Sequence, residues 1–350
     1  SVFNFLLQFC KSVIGIISPL FLSLYFVPIT FVGSYGFPLL LIGSLLLFKK
    51  IEIEIYQIYI MIVSFSLLTL LALFDLSKAP FIFSIVLALF CSNLVAKSKL
   101  QMFLGPTLIA HIIFVFISYI SILTNGDDFL PNLIYGESRH GIHKNDILNY
   151  RISGIYQEPA TFGLHMLLLS IWSKKMNPNR IILANSFSIL AILSFSSLTF
   201  LAILKVINDN FGTIKNNRGI IGTITLILLG FTISSSYYEF FISKLDLYMR
   251  NGIINSKRFE FLNFTANKYS TGELNLIFGH EMGAVQKYVV YDLGPVISTI
   301  LILGIPGVIL ATSLIFRTKI SLLNYVILLA TKASINNPLL WIALLKKEQK

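Results

Sequence analysis

The chain has 350 residues, of which 55% are apolar and only 12% charged, and its mean hydropathy is +0.80. Soluble domains carry roughly twice that charged share, about 25%. A chain this apolar cannot bury its surface in water, so the composition excludes an ordinary soluble enzyme and calls for lipid as solvent. The net charge of +11 raises nucleic acid as a partner, but the distribution of that charge, taken up below, argues against it.

Apolar tracts recur from end to end, which predicts one membrane domain over 1–350. A helical span needs about 20 apolar residues. Spans are read near 12–28, 32–48, 55–74, 79–96 and 102–123. The first tract holds Lys11 and lacks a small-residue cleavage site, so no signal peptide is expected. Cys10 and Cys91 lie far apart inside apolar tracts and form neither a disulfide framework nor a metal motif.

A first long polar loop follows at 124–157, then a span near 159–173. The tract 181–207 is too long for one upright helix and too short for two ordinary ones. Its polar centre, Ser194-Phe195-Ser196-Ser197, predicts a hairpin of two short helices. A span near 219–236 leads to a second long polar loop at 237–287, and a span near 288–315 follows. The final tract 320–345 has a turn signal at Asn336-Asn337-Pro338. The fold class expected is therefore all-α: a polytopic transmembrane bundle of about 10–12 spans.

Cytoplasmic loops collect Lys and Arg. With both long loops outside, the inner side receives Lys11, Lys49, Lys50, Lys97, Lys99, Lys174, Lys175, Arg180, Lys205, Lys215, Arg218, Arg317 and Lys319, against Glu52, Glu54 and Asp209. The outer loops are nearly balanced. The basic excess is thus topological, with the N-terminus cytoplasmic. Membrane lipids are its expected partner and nucleic acid is not.

The first loop ends in Arg151-Ile-Ser-Gly-Ile-Tyr156-Gln-Glu158-Pro159. Pro159 suits the first position of a helix, and Glu158 then sits at its N-terminus. Glu158, Thr161 and His165 share one helical face. Glu158 is either a capping acid paired with Arg151 or a proton acceptor facing a cavity. The second loop holds Lys257-Arg258-Phe259, then Phe278-Gly279-His280-Glu281-Met-Gly283, Lys287, and Tyr-Asp292-Leu-Gly294-Pro295. His280 is either a base oriented by Glu281 or a solvated loop histidine. Asp292 is either a helix-starting acid or a catalytic carboxylate at the membrane edge. His140-Gly-Ile-His143 lacks a placed third ligand, so no metal is expected. No nucleotide-binding or serine-hydrolase signature appears, so no cofactor is expected.

Guanidinium groups at a membrane surface beside a carboxylate suit a lipid diphosphate. Arginine forks grip phosphate oxygens and stabilise the charge of a departing phosphate.

These residues resemble a known family. Arg151…Gly154…Glu158-Pro159 is similar to the Arg, Gly, Glu-Pro element of the bacterial O-antigen polymerases of Wzy type. The cluster 194–199 resembles that family's Ser-rich turn, with Leu198-Thr199 standing where an arginine is common. Arg258 with Phe278-Gly279…Gly283, and Asp292-Leu-Gly294 with Gly304-Ile-Pro-Gly307, resemble its later elements. The resemblance covers about residues 139–345. It implies a glycosyltransferase that polymerises undecaprenyl-diphosphate-linked oligosaccharide units at the periplasmic face of the inner membrane, beside a flippase and a chain-length regulator. By that resemblance Arg151 and Arg258 grip diphosphate, with Tyr156, Arg139 and Lys287 as further substrate contacts. Glu158, His280 and Asp292 are the acid–base candidates. The alternatives are an O-antigen ligase, which usually places a histidine where Asp292 stands, and a polysaccharide flippase.

Overall fold

A computed structural model of the chain describes residues 2–23, 62, 65–66, 69, 73, 76–79, 81–83, 85, 88, 104–125, 128–135, 152–156, 158–176, 181–194, 196, 198–211, 263, 279, 299, 301–307, 309 and 337–344. These residues are helices, turns and short connections, with no strand among them. The chain divides into two units, one of Ser1–Lys50, Cys91–Tyr237 and Gln349–Lys350, the other of Ile51–Phe90 and Tyr238–Glu348.

In the first unit the helices are α1 (Val2–Ser23), α2 (Leu104–Asn125), α3 (Phe129–Tyr135), α4 (Pro159–Met176), α5 (Ile181–Leu193) and α6 (Thr199–Phe211). α4 is the centre. Met166, Leu167, Leu168 and Leu169 are all fully buried, and four consecutive residues span a full helical rotation. A helix covered on every side must satisfy the polar groups it buries, and Ser170 and Ser173 of α4 each donate to a backbone carbonyl. α5 lies along it, α6 lies along α5, and α1 touches both α2 and α4.

The tract 181–207 breaks where its serines predict. α5 and α6 have 13 residues each, about 20 Å by the α-helical rise. Asn185, near the start of α5, donates to Asn210 near the end of α6 at 3.2 Å, so the two run antiparallel as a hairpin. Its tip is held by hydroxyls. Ser194 Oγ donates to the Ala191 carbonyl at 2.6 Å, Ser196 Oγ accepts from the Leu198 N–H at 3.3 Å, and Thr199 Oγ1 donates to the Ile192 carbonyl at 3.3 Å. The tip rests on Gly163, where an added Cβ would lie 2.5 Å from Ser194 Oγ and 2.9 Å from Ser196 Oγ. Small residues continue the close approach below, where Ser170 Oγ donates to the Ala184 carbonyl at 2.6 Å and pairs with Ser188 Oγ at 2.7 Å. At the opposite end of the hairpin Lys174 of α4 and Lys205 of α6 both bond the Asp209 carboxylate.

α2 reverses the usual polarity of a surface helix. Its covered face carries Thr107, His111, Ser118 and Ser121, while Ile109, Ile112, Ile113, Phe116, Ile120 and Leu123 are exposed. Its Leu104–Thr124 stretch is the one helix among the described residues long and apolar enough to cross a membrane.

In the second unit, α7 (Pro338–Leu344) begins at the turn signal of the last tract. Asn337 caps it, its side-chain oxygen accepting from the Leu339 N–H at 2.9 Å, with Pro338 at the first helical position. Residues 301–303 and 305–307 are helical on either side of Gly304, which has φ 63°. The chain folds back so sharply there that a Cβ on Gly307 would meet the Thr299 carbonyl at 2.4 Å. Lys78 is buried in this unit.

Candidate functional site

The segment before α4 is folded into the first unit. Gly154 has φ 56°, a left-handed conformation that side chains resist, and it turns the chain so that the Tyr156 N–H bonds the Ser153 carbonyl at 2.9 Å. Two clamps hold the turn. Ser118 Oγ of α2 donates to the Gly154 carbonyl at 3.0 Å. Ser153 Oγ donates to Asp128 Oδ2 at 3.1 Å, and both of those residues are fully buried. Asp128 also starts α3, its carbonyl accepting from Asn132 at 3.1 Å, while Ser121 Oγ accepts from the Phe129 N–H at 3.1 Å. The stretch 124–157, read from sequence as a polar loop, thus contains a helix at 129–135 and a buried turn at 153–156. The sequence scan passed over both because 129–135 is only seven residues long and Asp128 finds its partner 25 residues away.

Glu158 begins α4 as expected. Its carbonyl accepts from the Thr161 and Phe162 N–H groups, both at 3.1 Å, and Pro159 is the first helical residue. The Glu158 side chain is half-buried at the positive end of the α4 dipole.

Tyr156 is 1% exposed and points into the bundle. Its ring stacks on His165 at 4.9 Å and 24°, and on His111 at 6.1 Å and 18°, with Phe162 tilted against it at 5.9 Å. His165 Nδ1 lies 2.7 Å from the Thr161 carbonyl one turn back. The imidazoles of α2 and α4 therefore sandwich the residue that leads into Glu158. Sequence reasoning singled out Tyr156 and His165 but missed His111. The signal was present: a lone ionisable residue in the apolar tract 102–123, a position where polar groups face a bundle interior.

In the second unit two glycine motifs read separately from the sequence meet. Gly279 has φ 74°, and a Cβ on it would lie 2.4 Å from the Ile302 carbonyl oxygen and 2.8 Å from the Gly304 nitrogen. Only a glycine lets the second loop approach the helix break this closely. The break and the loop are thus one construction.

Of the candidate residues, Tyr156 and Glu158 are two positions apart on the same anchored segment. Arg139, Arg151, Arg258, His280, Lys287 and Asp292 lie outside the described residues, as do His140 and His143. Among the described residues no three His, Cys, Asp or Glu side chains gather as a metal site. Comparison of the chain with protein-family models, with curated proteins and with solved structures finds no match.

Proposed function

We propose that the chain crosses the bacterial inner membrane many times and polymerises undecaprenyl-diphosphate-linked oligosaccharide units at the periplasmic face. The membrane part is supported by the inverted polarity of α2. An outward face of isoleucine, phenylalanine and leucine costs free energy in water and none in lipid, whereas buried Thr, His and Ser are natural where the bundle interior is the polar side. The 20 Å helices of the α5–α6 hairpin fall short of an approximately 30 Å hydrocarbon core. Such a turn is tolerated at depth only when protein covers it, and its packing on Gly163 supplies that cover.

The single observation that carries the chemical part is the clamped Gly154 turn, which delivers Glu158 to the start of α4 seven positions after Arg151 in the chain. This is the element that resembles the Wzy-type polymerases. In the proposed reaction an acceptor sugar hydroxyl attacks the anomeric carbon of the lipid-linked chain. The anomeric C–O bond to phosphate breaks, the diphosphate leaves with the bonding pair, and the hydroxyl proton passes to Glu158, His280 or Asp292. Arg151 and Arg258, joined by Arg139 and Lys287, hold the leaving diphosphate.

Arg151→Ala and Arg258→Ala are each expected to abolish long chains while single repeat units still reach the cell surface. A normal length ladder from either variant refutes the diphosphate role. A purified-protein assay separates the competing functions: lengthened lipid-linked chains mark a polymerase, transfer to lipid A core marks a ligase, and movement without bond formation marks a flippase.

A further inference from the structure

The end of the first unit opposite Glu158 has its own chemistry. Lys205 is fully buried, Asp209 is almost so, and Lys174 is about one-third exposed. Among the described residues, two ammonium groups share this one carboxylate, which leaves one positive charge over. Asp209 is the sole acid between residues 159 and 238, a stretch that holds Lys174, Lys175, Arg180, Lys205, Lys215 and Arg218. Lys175 is partly buried beside Lys174 on α4, and Arg180 directly precedes α5. The start of α5 lies at this same end, since Asn185 bonds Asn210 and Ala184 bonds Ser170. Its N-terminal N–H groups add positive potential. The carbonyl ends of α4 and α6 offset part of the charge, but burying an ammonium is costly until it is fully compensated.

We propose that this cluster is a binding site for the phosphate of an anionic phospholipid headgroup, seated over Lys174 and Lys175 where the three helices end. Asp209 fixes Lys174 and Lys205 in place, and the headgroup phosphate supplies a second negative charge to the pair of lysines. The proposal rests on the membrane reading above and is independent of the glycosyl transfer.

The test uses the full chain, purified in neutral detergent and stripped of lipid. Its Tm is followed while short-chain phosphatidylglycerol, short-chain phosphatidylcholine or inorganic phosphate is added, because a ligand of the folded state raises Tm in proportion to its occupancy. Phosphatidylglycerol is expected to raise Tm saturably, and the other two are not. A lysine near an anionic lipid surface contributes roughly fivefold in affinity. Lys174→Gln with Lys175→Gln is therefore expected to weaken the phosphatidylglycerol response roughly twenty-five-fold. Lys346→Gln with Lys347→Gln, which removes the same charge far along the chain, is expected to leave it unchanged. Lys175→Gln alone repeats the test outside the Asp209 bridge, with a loss of roughly fivefold, should the double variant not fold. Equal protection by phosphatidylcholine, or equal loss in the Lys346/Lys347 control, overturns the proposal. Protection by inorganic phosphate alone overturns the lipid assignment. Fractionation of the expressed chain is read separately. Recovery in the soluble fraction refutes the membrane reading, whereas a membrane-embedded chain without preference for phosphatidylglycerol refutes only the headgroup site.

Discussion

The Tyr156 ring does two jobs: it fills the space between α2 and α4, and it fixes the residue two positions later. Removing a fully buried aromatic ring loses both its transfer free energy and the packing around the void. Tyr156→Ala is expected to destabilise the fold by about 3–5 kcal/mol. Tyr156→Phe keeps the ring and both imidazole stacks and is expected to cost far less. Thermal unfolding of the two variants decides the point, and a Phe variant as unstable as the Ala variant contradicts the stacking account. Asp209 is the other residue on which much depends. Asp209→Asn leaves Lys174 and Lys205 without their shared anion, and breaking a buried pair in this way costs about 3–5 kcal/mol. A Tm equal to that of the parent chain shows that the lysines do not need it.

At the scale of elements, the α5–α6 hairpin is joined to α4 by small residues, and Gly163 is the tightest point. A methyl group there lands within 3 Å of two serine oxygens that are already committed to the turn. Gly163→Ala is expected to cost about 1–3 kcal/mol, as overpacking does. Combining it with Ser194→Ala removes the nearest oxygen, so the double variant is expected to lose less than the sum of the two single changes. Strict additivity in a double-mutant cycle argues that the hairpin tip does not press on α4. The starts of these helices were legible in the sequence for local reasons. Pro159 and Pro338 accept the first helical position, and Asn337 and Glu158 precede them as caps. The Ser194–Ser196 centre offers hydroxyls that compete with helix continuation. α3 was not legible, because seven residues bounded by Asp128 carry too little periodicity to stand out from a polar loop.

For the whole molecule, the sidedness of the loops is the decisive quantity. In a background without Cys10 and Cys91, His140→Cys and Ser270→Cys are expected to react with an impermeant thiol reagent added to intact spheroplasts. Asn216→Cys is expected to react only after the membrane is broken. The reverse pattern inverts the orientation and removes the periplasmic site.

The sequence by itself determined the all-helical character of the described chain, the starts of α4 and α7 and the break between α5 and α6. Composition and caps act on a residue and its near neighbours, so they can be read in one dimension. Only the tertiary structure decided which faces meet. A helix such as α4, buried all round, presents no single polar side by which periodicity could mark a buried face. The pairings of Ser153 with Asp128, of Tyr156 with His111 and of Gly279 with Ile302 join residues far apart in the chain. Each exists because packing brought the two segments together, and no local pattern encodes that meeting.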